Sequence, residues 1–117
     1  MDLKEIMEYD NFVVVGNTIV EDKYAYKIKY ALKDKNYNVE CVDKELTSIN
    51  DTNMDVDIIN LCVHPAKGIK YLKENKKKAK CVLIQPGAES TEIIDYLEDN
   101  NQNYLEGCVL VGLSLYK

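Results

Sequence analysis

The chain has 117 residues, 46% of them apolar and 30% charged, the size and make-up of one globular domain that buries its own core. Its formal net charge is −5, and every strong cation is a lysine; arginine is absent. An acidic chain without guanidinium groups is poorly suited to nucleic acid, which needs many phosphates neutralised and its guanines read bidentately, and no apolar run reaches the length of a membrane span.

In chain order, residues 2–9 place Leu3, Ile6 and Met7 on one face and predict a short opening helix. Phe12 to Val15 is apolar throughout and closes on Gly16, as expected of a strand covered on both faces. A polar loop over 17–22 leads into a helix over 23–36, with Ala25, Ile28 and Leu32 inward. Residues 38–42 read as a second strand. The stretch 44–55 has no period and reads as loop with at most one helical turn. Residues 56–63 form a third strand, and Pro65 suits the first position of a helix reaching about Lys78. The lysines at 76–78 fit the negative end of that helix rather than a binding patch. A fourth strand covers 81–84. Gln85-Pro86-Gly87 is a turn, Ser90 caps a helix over 91–99, and Asn100 and Asn101 end it. A last strand lies near 103–106, and a second apolar stretch covers 108–113. This alternation predicts an α/β fold: a doubly wound parallel sheet of five to six strands with helices on both faces.

Cys41, Cys62, Cys81 and Cys108 form no C-x-x-C pair and have no zinc-ligand spacing to each other or to His64, the one histidine. They read as buried thiols of a reducing compartment. The opening residues MDLKEIMEYD lack the basic start and apolar centre of a signal peptide, so the expected location is the cytoplasm.

In open parallel sheets ligands bind beyond the carboxyl ends of the strands. That rule selects Gly16-Asn17-Thr18, Asp43-Lys44, His64-Pro65, Gln85-Pro86-Gly87 and Glu106-Gly107-Cys108. Gly16 permits a tight turn and a close backbone approach, and the helix after it offers free N–H groups to an anion. Asp43 stands where dinucleotide folds place an acid on a ribose hydroxyl, while Lys44 suits a ribose phosphate. His64 suits a hydrogen bond to a ligand, or a purely structural role. The G-x-G-x-x-G fingerprint is absent, so an NAD(H)-binding redox sensor or oxidoreductase, with Asp43 on the ribose, is the second reading. No G-x-S-x-G, P-loop or nucleophile–base motif is present, which favours a binding module over an enzyme.

The runs FVVVGNT, KYAYKIKYALKDKNY, VECVDK, VDIINLCVHP, LIQPGAES and EGCVLV, in this order and spacing, resemble the small single-domain CoA-binding proteins, which are similar to the CoA-binding domain of the succinyl-CoA synthetase α subunit. The resemblance covers about Asn11 to Val111. It implies a Rossmann-like fold holding coenzyme A or an acyl-CoA across the carboxyl edge. Gly16, Asn17 and Thr18 would meet the phosphates, with Lys23 and Tyr24 close by at the start of the next helix. Asp43 and Lys44 would lie near the adenosine, Lys44 facing its 3′-phosphate. His64 and Pro65 would line the crevice, and Gln85, Pro86 and Gly87 would border the pantetheine arm. The chain departs from the family pattern at Thr18, where relatives often have serine, and at V-D-K, where many have V-N-P. It also lacks the partner domains and phosphohistidine region of the synthetase, so ligase activity is not implied. The expected partner is a small nucleotide ligand, with a homodimer left open.

Overall fold

The computed structural model describes residues 1–117. Five helices and five strands follow one another: α1 (Leu3–Ile6), β1 (Asn11–Gly16), α2 (Tyr24–Asp34), β2 (Asn38–Asp43), β3 (Ile58–Cys62), α3 (Pro65–Glu74), β4 (Cys81–Ile84), α4 (Thr91–Asp99), β5 (Tyr104–Glu106) and α5 (Val109–Tyr116). A single 3₁₀ turn, Ile49–Asp51, punctuates the long loop after β2. The sheet is parallel throughout, in the order β2-β1-β3-β4-β5. This is a Rossmann-like α/β fold. No helix is long and apolar enough to cross a membrane.

Successive side chains of a strand point to opposite faces, and two cores result. Val13, Val15, Ile59, Leu61, Val82 and Ile84 face α3 and α4. Phe12, Val14, Ile58 and Leu83 face α1, α2 and α5. Strands covered on both faces need continuous apolar runs, which β1 and β4 supply.

Several boundaries differ from the sequence reading: the opening helix spans only Leu3–Ile6 rather than 2–9, and three further differences have a physical cause. The apolar stretch from 108 is not a sixth strand but helix α5. An apolar run with no polar face carries no period by which to tell helix from strand; the uncovered side chains of Cys81 and Leu83 set the outcome by needing a lid. Helix α3 stops at Glu74 rather than near Lys78, because the Asn75 side chain accepts from the Lys77 N–H and donates to its carbonyl, both at 2.9 Å. That local bonding competes with the helix ladder. Strand β3 starts at Ile58, since the Asp57 carboxylate turns to accept from the Asn11 N–H at 3.1 Å.

Gly16 is needed for packing more than for a turn. A Cβ on residue 16 would lie 2.3 Å from the Cys62 carbonyl oxygen and 2.8 Å from the Ala25 Cβ. Its absence lets α2 settle onto the junction of β1 and β3. Gly16→Ala is therefore expected to destabilise the fold by about 1–3 kcal/mol, the usual range for overpacking, measured by urea unfolding. Wild-type stability in that variant would contradict the contact.

Candidate functional site

The strand order reverses at β1: β2 lies on one side and β3 on the other. Beyond the carboxyl ends of β1, β3 and β4 opens a cleft of about 240 Å³, lined by Asn17, Lys23, Tyr24, Ala25, Cys62, Val63, His64, Pro86, Gly87 and Ala88. Three leading loops border it, those of α2, α3 and α4. The α3 terminus is capped by His64, whose Nδ1 accepts from the Ala66 N–H at 3.1 Å. The α4 terminus is capped by Ser90, whose Oγ accepts from the Ile93 N–H at 3.1 Å. The α2 terminus has no side-chain cap; Lys23 stands at the N-cap position. Its first-turn N–H groups and partial positive charge therefore remain available to an anion. The loop before it is held by Asn17, whose Oδ1 accepts from the N–H groups of Ile19 and Val20, each at 3.2 Å.

Six of the residues selected from sequence meet in this cleft: Asn17, Lys23, Tyr24, His64, Pro86 and Gly87, with Gly16 packed against Ala25 of its wall. Gly87 has φ 92° and open space where a side chain would stand, so it serves the rim with a backbone that glycine favours. His64 accepts through Nδ1, which leaves its Nε2 as the donor. Pro65 occupies the first position of α3.

Thr18, Asp43, Lys44, Pro65 and Gln85 lie outside the cleft, as do Glu106, Gly107 and Cys108. Thr18 is buried, and its hydroxyl donates to Glu45 Oε2 rather than facing a ligand. Lys29 reaches the same Glu45 oxygen at 2.9 Å. Burial pushes the Glu45 carboxyl up, but these two partners outweigh it and hold it below its ordinary range. Asp43, at the end of β2, has φ 111°, and its carboxylate accepts from the Tyr71 hydroxyl at 2.7 Å and the Lys67 ammonium at 3.1 Å. It thus turns toward α3. Burial raises its pKa, and Tyr71 and Lys67 more than reverse that; burial and the bond to Asp43 push Tyr71 itself up to about 12. Lys44 is exposed. Gln85 extends β4, its N–H donating to the Leu61 carbonyl at 3.0 Å. Its side chain is buried and donates to Asn60 Oδ1.

The sequence reading missed Ala25, Cys62, Val63 and Ala88 as cleft walls. For Cys62 and Val63 a signal existed, since both immediately precede His64 at a strand end. Burial first, and Cys108 second, push the Cys62 thiol up to about 11, so it stays protonated and weakly nucleophilic near neutral pH.

Comparison with known proteins places this geometry in a wider set. A family model described as a CoA binding domain matches residues 10–114. A conserved hypothetical protein from Pyrococcus furiosus is 28% identical, with 88% of this chain and 98% of that chain covered and a TM-score of 0.78. A Thermus thermophilus structure, 16% identical, covers both chains in full with a TM-score of 0.84. A hypothetical protein from Pyrococcus horikoshii is 18% identical over 97% of this chain and 91% of that one, with a TM-score of 0.83. The last two share the fold. No curated protein matches the chain.

The Asp43 cluster carries a pH signature. Its carboxyl titrates lower in the folded chain than in the unfolded one, so its contribution is complete above the unfolded value of about 3.9 and is lost as pH falls through the folded value. Urea unfolding of wild type and Asp43→Asn is expected to show wild type more stable at about pH 7, with the gap closing as pH falls below the unfolded carboxylate value of about 3.9. A gap of constant size across that range would contradict the pairing.

Proposed function

We infer the function from one premise: the chain belongs to the CoA binding domain family. We propose that it holds coenzyme A or an acyl-CoA across the carboxyl edge of the sheet, as a single-domain binding module with no catalysis of its own. The pyrophosphate rests on the open N-terminus of α2, where Lys23 adds a point charge. The single observation that carries this reading is that, of the three helices bordering the cleft, only α2 lacks a side-chain cap.

The remaining assignments follow from size and polarity. A cleft of about 240 Å³ suits one portion of so long a ligand; pockets that enclose a drug-sized molecule run to roughly 300–1,000 Å³. Ala25, Val63 and Ala88 offer apolar walls to the pantetheine arm. His64 Nε2 is placed to donate to an amide carbonyl of that arm. The adenosine lies on the open side, with Lys44 the cation nearest in sequence to the end of β2.

Two observations support binding over chemistry. The thiol at the cleft, Cys62, is held protonated, and the Nδ1 of His64 is engaged in capping. An NAD-type ribose contact would rest on Asp43, whose carboxylate is already bonded to Tyr71 and Lys67; this favours coenzyme A.

A melting scan tests the proposal. Coenzyme A at a hundred times its Kd is expected to stabilise the chain by about 2.7 kcal/mol. Lys23→Ala is expected to weaken binding about tenfold, through loss of one charge-assisted phosphate contact. No shift with coenzyme A, or a shift with NAD alone, would overturn it, as would native mass spectra of protein from cells carrying a dinucleotide instead.

A further inference from the structure

Tyr24 is the one tyrosine lining the cleft, and it is 67% exposed. It is the first residue of α2, directly beside the uncapped terminus. Of the eight large apolar side chains that the fold leaves exposed, three fall here: Tyr24, and Ile19 and Val20 in the loop before it. Apolar groups gathered in water at the lip of a cleft mark a contact surface. The loop presents them firmly. Asn17 Oδ1 accepts from the Ile19 and Val20 N–H groups, and the Lys23 N–H donates to the Val20 carbonyl at 3.0 Å.

The Tyr24 ring has one cation on it. Lys27, one helical turn on, places its Nζ 5.5 Å from the ring centroid, a cation–π contact on one face. No aromatic ring of the chain stacks on Tyr24. Tyr71, the tyrosine at the end of β2, is engaged instead: its hydroxyl donates to Asp43 at 2.7 Å, and it packs against the core beneath α3 and α4. At the carboxyl edge, Tyr24 is therefore the phenol ring that a ligand can reach.

A cleft of about 240 Å³ holds one portion of a coenzyme A and leaves the rest of it on the rim. With the pyrophosphate on the α2 terminus, the base is one ribose away, beside the first residue of that helix. Adenine is flat and uncharged at neutral pH, and an aromatic ring is the side-chain surface on which its face stacks best. The loop acids Glu21 and Asp22 are exposed and oppose a further phosphate there, but not a neutral base. Resting on the coenzyme A reading, we propose that Tyr24 is the platform for the adenine. Its open face takes the base, and Lys27 on the ring holds it over the first turn of α2.

Calorimetric titration with two probes tests it: coenzyme A, and phosphopantetheine, which has the arm and a phosphate but no base. Tyr24→Ala is expected to weaken coenzyme A about tenfold, the low end for one stacked base, and to leave phosphopantetheine unchanged. Tyr24→Phe keeps the ring and is expected to bind coenzyme A as wild type does. Because the side chain is exposed, Tyr24→Ala should also keep the wild-type urea midpoint. A second readout serves if the base-free probe binds too weakly to measure. The ethenoadenine analogue of coenzyme A, bound at saturation, should be quenched on wild type and on Tyr24→Phe and bright on Tyr24→Ala. Equal weakening of both probes, no loss of coenzyme A affinity in Tyr24→Ala, or an unquenched base on wild type would overturn the platform and leave the coenzyme A reading standing. A wild type that binds neither coenzyme A nor its analogue would overturn that reading, and the platform with it.

Discussion

The structure depends on the side-by-side parallel pairing of β1 with both β2 and β3. Parallel strands must be joined by right-handed crossovers. From β1 the chain crosses to β2 on one side, and the sheet later grows through β3, β4 and β5 on the other. Handedness then forces α2 to one face and α3 and α4 to the opposite face. The helices part at the carboxyl ends of β1 and β3, and the cleft is the space they leave. The contact of Gly16 with Ala25 and the Cys62 carbonyl sets how close α2 comes to that opening.

Around this opening the charged groups are divided between two tasks. Asp43 and Glu45, the acids nearest the end of β2, are each bonded to a lysine and a hydroxyl. Both carboxylates are satisfied within the fold and held ionised, which ties the loop after β2 to α2 and α3. The cleft keeps different groups: an uncapped helix terminus, Lys23, the Nε2 of His64 and a rim of backbone at Gly87. These are donors and a positive potential, the complement of a phosphate ester. Membership of a CoA-binding family and a site of this polarity are consistent with one another.

The carboxyl-edge rule brought most of the cleft within reach of the sequence, because residues directly following buried strands have few places to go. Asn17, His64, Pro86 and Gly87 were found in that way. Thr18 and Gln85 show where the rule stops. Each lies at a strand end, yet each turns its polar group to a partner inside the protein, Glu45 and Asn60. Those partners are 27 and 25 residues away in the chain, and no local pattern announces them. Asp43 was read as a contact at the ribose or adenosine end of a ligand; its engagement by Tyr71 and Lys67 depends on how α3 docks, which no local pattern shows.

By itself the sequence determined the alternation of strands and helices, the buried faces of the helices, the cap at Ser90 and the helix start at Pro65, since period, apolar runs and capping chemistry are local properties. It also determined that the chain is acidic and free of arginine. Tertiary structure alone decided that the last apolar stretch is a helix, because only the uncovered sheet required a lid there. It decided which strand-end side chains face the cleft and which are engaged elsewhere. The physical reason is the same in each case: hydrogen bonds, ion pairs and packing between distant segments depend on side-chain directions that exist only once the sheet has formed.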